Sequence, residues 1–140
     1  MGKSEILSYP LVKTFFKRLN IPVFRGDRLK AAKAFIQAKR EINKGWSIVI
    51  FPEGRIPDVN PTTIPFKEGA FKLAKSAGVG IIPITFHNNY KLFSDPEHFF
   101  KSASPGLVRV TIHPVITAQQ VESTSENDLR EMSFDLIRLP

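Results

Sequence analysis

At 140 residues, with 42% apolar side chains, the chain is long enough for one domain with a modest core and too apolar for disorder. The absence of cysteine excludes a disulfide framework and thiolate metal sites and fits a reducing compartment. No apolar run approaches a membrane span, no signal-peptide pattern opens the chain, and the net charge of +7 points to anionic partners.

That charge is uneven. Up to Gly45 eleven Lys and Arg face three acidic residues, whereas the remainder has nine against ten. Anionic lipid, phosphorylated substrates and nucleic acid all suit such a surface, and so does a plain solvated face.

Ser4 suits the cap of a first short turn and Pro10 the first position of a helix. Val12, Phe15, Phe16 and Leu19 recur at helical spacing opposite Lys13, Lys17 and Arg18. This predicts an amphipathic helix with a basic face, suited to packing on a sheet or to a membrane interface. Residues 21–24 read as a strand with Arg25 at its end, and Asp27 as the cap of a helix from Arg28 to about Asn43. Leu29, Ala32, Phe35 and Ile36 form its predicted buried stripe, with Lys30, Lys33, Lys39, Arg40 and Lys44 in water and Gly45 as the stop.

Residues 47–51 are nearly all apolar and rich in β-branched side chains, the pattern of a buried strand in a parallel or mixed sheet. Pro52 cannot donate to a ladder, so the strand ends there and Glu53 falls at its carboxyl end, where open α/β sheets bind ligands. The unit 21–51 has the length of a right-handed βαβ crossover. A helix start is expected over residues 64–74 with Gly78 as its stop. A second buried strand follows over 80–86, with Pro83 at an edge, a bulge or the strand's start.

Between His87 and Gly106 the periodicity dissolves, with turn formers at Asn88-Asn89 and Asp95-Pro96. The scattered Tyr90, Leu92, Phe93, Phe99 and Phe100 suit packing under a loop or the lining of an acyl groove. Val108, Val110 and Ile112 alternate with Arg109, Thr111 and His113 as in a half-exposed strand. Thr124 or Ser125 then caps a closing helix buried through Leu129, Met132 and Leu136. The predicted class is α/β: one domain over 1–140, with a mixed, largely parallel central sheet flanked by helices.

Three blocks in order, Phe51-Pro52-Glu53-Gly54, Pro65-Phe66-Lys67-Glu68-Gly69-Ala70-Phe71 and Ile81-Ile82-Pro83-Ile84, resemble the PlsC-type glycerolipid acyltransferases, typified by 1-acylglycerol-3-phosphate acyltransferase. Ile21-Pro22-Val23-Phe24-Arg25 is similar to that family's arginine-bearing block. The resemblance covers about residues 1–113, leaving 114–140 as an extension with a helix. It implies a glycerol-3-phosphate acyltransferase-like fold and direct attack of a lysophosphatidate-like hydroxyl on acyl-CoA or acyl-carrier protein, without a cofactor or metal. It also implies phospholipid biosynthesis at the cytoplasmic side of a membrane, as a peripheral protein on an anionic surface.

The family's catalytic signature is a His followed five positions later by an Asp. Five beyond His87, His98 and His113 stand Leu92, Ala103 and Ala118, so no catalytic pair is present. The expectation is an acyltransferase domain that lacks its N-terminal part and is the phosphate- and acyl-binding portion of a membrane-surface enzyme. Losing a general base costs on the order of a hundred- to ten-thousand-fold in rate.

The resemblance assigns substrate binding to Arg25, Phe51, Pro52, Glu53, Gly54, Arg55 and Pro83. An Arg at a strand end can grip a phosphate with two parallel charge-assisted hydrogen bonds. Glu53 could orient substrate hydroxyls or fix a backbone turn, and Gly54 permits positive φ and close ligand approach. Arg55 and Ile56 stand where the family has Thr then Arg, so the arginine is shifted by one place or replaced. Pro83 belongs to the block near the acyl donor. Lys67 and Lys72 add positive potential or are simply solvated. His87 beyond a strand end is a possible base without a spaced Asp. The alternative is a non-catalytic basic module binding anionic membrane lipid; no nucleic-acid motif or small-hydrolase site stands out.

Overall fold

The structure is a computed structural model that describes residues 2–3, 20–23, 27–55, 63–92 and 104–138. It divides into two compact units, Met1–Phe51 and Pro52–Pro140. Ser4, Pro10, the predicted basic helix around Val12 to Leu19, and Phe93, Phe99 and Phe100 lie outside the described residues, as does Arg25.

In the first unit, β1 (Gly2–Lys3) pairs in parallel with β2 (Pro22–Val23). Helix α1 (Arg28–Asn43) starts where the sequence predicts: the Asp27 carboxylate accepts the Lys30 backbone N–H at 3.0 Å. That bond, with the nearby Lys30 side chain, holds the Asp27 carboxyl below its ordinary range. At the far end the Gly45 N–H reaches Ile42 O at 2.8 Å and the Trp46 N–H reaches Glu41 O at 3.1 Å, with Gly45 at φ +91°. This is a Schellman closure, and it needs a residue that tolerates positive φ.

The predicted buried stripe of α1 is wrong. Ala34 and Ala38 are buried, whereas Leu29 is 79% and Ile36 52% exposed, Ala32 is exposed and Phe35 is half-buried. α1 lies against β2, meeting its surroundings over its smallest side chains one turn apart. Residues 46–51 are irregular backbone rather than a buried strand; Val49 is 68% and Phe51 67% exposed. A β-branched run favours extended backbone, but regular ladders and burial depend on neighbours.

In the second unit, α2 (Gly69–Ala77) ends at Gly78 as expected. Pro83 is buried directly before β3 (Ile84–Phe86), at a strand's start as predicted, and its carbonyl accepts the His113 N–H at 3.0 Å. β3 runs antiparallel to β4 (Val110–Ile112), with Ile84 opposite Ile112 and Phe86 opposite Val110. Between them is the short α3 (Asn89–Leu92), and after β4 come α4 (Ala118–Ser123) and α5 (Glu126–Arg138). The described strands thus form one parallel and one antiparallel pair, and a largely parallel central sheet is not seen among them. No described helix is long and apolar enough to cross a membrane.

The core of this unit is Phe66, Phe71, Ala74, Ile116, Val121 and Leu129, with Val79, Ile81, Phe134 and Ile137 packed around it. β4 is less covered than predicted: Val108 and Val110 are exposed and Ile112 is 71% exposed. The opposite face is polar and internally bonded. His87 Nε2 meets Thr111 Oγ1 at 2.7 Å and His113 Nε2 meets Thr85 Oγ1 at 2.8 Å. Thr85 donates its one hydroxyl hydrogen to Ile137 O at 3.2 Å, so His113 Nε2 must be the donor in its pair. Alternation fixes which side chains share a face but not which face is covered. In α5, Ser125 is the cap, Leu129 is fully buried, Met132 is exposed, and Ser133 is buried in the predicted methionine's stead.

Candidate functional site

The candidate site is the turn at residues 52–55 and the segment that fixes it. Phe66 is buried, stacks on Phe71 at 6.4 Å between ring centroids, and meets Phe134 edge-on at 5.2 Å. That anchor sets the backbone of Lys67, whose N–H donates to Pro52 O at 2.8 Å. The Glu53 carboxylate turns back to accept the Ile64 N–H at 3.3 Å, closing the intervening loop. Burial pushes the Glu53 carboxyl above its ordinary value, and the Ile64 N–H partly opposes this.

Gly54 has φ +72°, in the left-handed region. The Lys67 side chain lies over it: a Cβ at Gly54 would stand 3.0 Å from Lys67 Cδ and Cε and 3.3 Å from Nζ. Lys72 behaves differently. It pairs with Glu68 at 2.5 Å and lies 4.0 Å from Glu126. The pair holds the Glu68 carboxyl down and the Lys72 ammonium up, each chiefly through their shared hydrogen bond. No described carboxylate forms an ion pair with Lys67.

The geometry therefore joins Pro52, Glu53 and Gly54 of one sequence block to Lys67 of the next and to Ile64 just ahead of it. Arg55, the last residue of the turn, is exposed. Phe51 belongs to the first unit, and Arg25 is outside the described residues. Pro83 shapes the start of β3, and no hydrogen bond among the described residues links it to the turn. His87 Nε2 meets Thr111 Oγ1, and no described acidic residue pairs with it. Sequence reasoning missed the Ile64 amide and the placement of Lys67 over Gly54. The Phe66-Lys67 pair carried the signal, since burying the first fixes the second. No group of three His, Cys, Asp or Glu suited to a metal occurs among the described residues.

Residues 1–87 match the family model described as Acyltransferase. The chain is 28% identical over 138 residues to a 1-acyl-sn-glycerol-3-phosphate acyltransferase of Borreliella burgdorferi, covering 98% of this chain and 54% of that protein. It is 43% identical over 97 residues to a 1-acyl-sn-glycerol-3-phosphate acyltransferase of Haemophilus influenzae, covering 66% of this chain and 40% of that protein. Among solved structures, the 1-acyl-sn-glycerophosphate (LPA) acyltransferase PlsC of Thermotoga maritima superposes with a TM-score of 0.77 at 25% identity. That match covers 98% of this chain and 52% of the other. The chain spans about half the length of these relatives or less.

Proposed function

This chain belongs to the Acyltransferase family, and from that premise we propose that it carries the acceptor-binding part of a glycerolipid acyltransferase site. The acceptor is a lysophosphatidate-like glycerol phosphate and the donor an acyl thioester, acyl-CoA or acyl-carrier protein. The reaction serves phospholipid biosynthesis at an anionic membrane surface. The chain's similarity to 1-acyl-sn-glycerol-3-phosphate acyltransferases supports this reading. The observation that carries it is the hydrogen bond from Lys67 N–H to Pro52 O, which holds two of the three family blocks against each other.

Arg25, Phe51, Pro52, Glu53, Gly54, Arg55 and Pro83 remain the proposed substrate-binding residues. Arginines supply the planar, two-pronged grip that a phosphate favours. The chain has no His with an Asp five positions on, so it transfers no acyl group at an appreciable rate by itself. The second reading, a basic module on anionic lipid, draws on the eleven-to-three excess of basic residues up to Gly45.

Binding of a short-chain lysophosphatidate and the matching monoacylglycerol to the 140-residue chain separates the readings. The acceptor-site reading expects clear preference for the phosphorylated lipid as a soluble monomer. Binding only to anionic vesicles, with no affinity for that monomer, would favour the basic module.

A further inference from the structure

We infer that Lys67 is a phosphate-binding residue of the acceptor site, and that the bare Cα of Gly54 leaves the path along which its ammonium reaches the ligand. The inference rests on the reading that the turn at residues 52–55 belongs to that site. Its ligand class is a phosphate monoester.

Three observations converge. The Lys67 backbone is held by the buried Phe66 before it and by its own N–H on Pro52 O, so the side chain leaves from a fixed point. Its stem lies across Gly54 so closely that a Cβ there would stand 3.0 Å from Cδ and Cε. A Cβ at position 54 would push this stem aside by a few tenths of an ångström. The third is charge: Lys72, one turn further on, is occupied by Glu68 and Glu126, whereas no described carboxylate pairs with Lys67. A cation held at the turn suits a phosphate, because a phosphate gains most from a charge whose position is already set.

Lys67 thus joins the turn as a point charge, complementing arginine's two-pronged contact. It contacts the headgroup and not the acyl chain, so its loss should affect only phosphorylated ligands.

The test measures dissociation constants of the 140-residue chain for a short-chain lysophosphatidate, the matching monoacylglycerol and inorganic phosphate. The proteins are wild type, Lys67→Met, Lys67→Arg and Lys72→Met, each first checked for an unchanged unfolding transition. Lys67→Met should weaken lysophosphatidate binding by about tenfold or more, the worth of one charge-assisted hydrogen bond. Monoacylglycerol binding should not change, Lys67→Arg should retain most affinity, and Lys72→Met should match wild type. If Lys67→Met binds lysophosphatidate like wild type while wild type prefers it to monoacylglycerol, this inference fails and the proposed function stands. An effect of Lys67→Met on inorganic phosphate alone would also overturn it, as would an equal loss in Lys72→Met. If wild type shows no preference for the phosphorylated lipid, both fall together.

Discussion

The backbone N–H of Lys67 meets the carbonyl of Pro52 at 2.8 Å, and the same residue's side chain lies over Gly54. One residue thus fixes a turn through its main chain and shades it with its charge. Gly54→Ala attacks both features: alanine at φ +72° is strained, and its Cβ would press on the Lys67 stem. Urea unfolding should show a loss of about 1–3 kcal/mol. Adding Lys67→Ala should relieve the crowding part, giving a non-additive double-mutant cycle. Strict additivity would mean that the two residues do not touch.

The turn depends on an aromatic anchor. Phe66 is buried against Phe71 and Phe134, so Phe66→Ala should destabilise the second unit by about 3–5 kcal/mol. Denaturant titration followed by far-ultraviolet circular dichroism checks this. A loss below about 1 kcal/mol would place Phe66 outside the core.

Glu53 has a definite pH signature. Its folded pKa is raised above the ordinary 4.5, chiefly by burial. Its favourable contribution is therefore complete below 4.5 and is lost as pH rises through the folded value. Glu53→Gln keeps an acceptor for the Ile64 N–H without the charge. It should raise the melting temperature at pH 7 and leave it unchanged near pH 3.5. A melting temperature lowered at pH 7 would mean that the ionised carboxylate stabilises the turn.

Helix α4 begins with a complete capping box: Thr117 Oγ1 accepts the Gln120 N–H at 3.3 Å, and Gln120 Oε1 accepts the Thr117 N–H at 2.8 Å. Thr117→Ala should cost about 1 kcal/mol in urea unfolding. Thr117→Ser should cost less, because it keeps the accepting hydroxyl. Equal losses would assign the effect to the methyl group.

Local chemistry was the legible part of this fold. Asp27, Gly45, Gly78 and Ser125 bound their helices where their side chains or backbone freedom predict, because a cap is decided within one turn of chain. Helix α4 was missed although Thr117 and Gln120 have capping-box spacing, since only one turn and a half of helix follows. What failed depends on remote partners. Leu29 and Ile36 looked like the core face of α1, but the helix is buried over Ala34 and Ala38. Residues 46–51 have strand composition yet irregular backbone, and the apolar side of β4 is the uncovered one. At the candidate site, the motif blocks named Pro52, Glu53 and Gly54. The contacts of Ile64 and Lys67 arise from chain folding back across a loop, which spacing does not encode.

In the proposed site, the turn at 52–55 and the segment carrying Lys67 receive the phosphate of a glycerolipid acceptor. Amide resonances of the isotopically labelled chain, followed during titration with monomeric short-chain lysophosphatidate, test it most directly. Saturable shifts are expected at Glu53, Gly54, Arg55 and Lys67, and none with the matching monoacylglycerol. Shifts confined to β3 and β4, or identical shifts with both lipids, would contradict it.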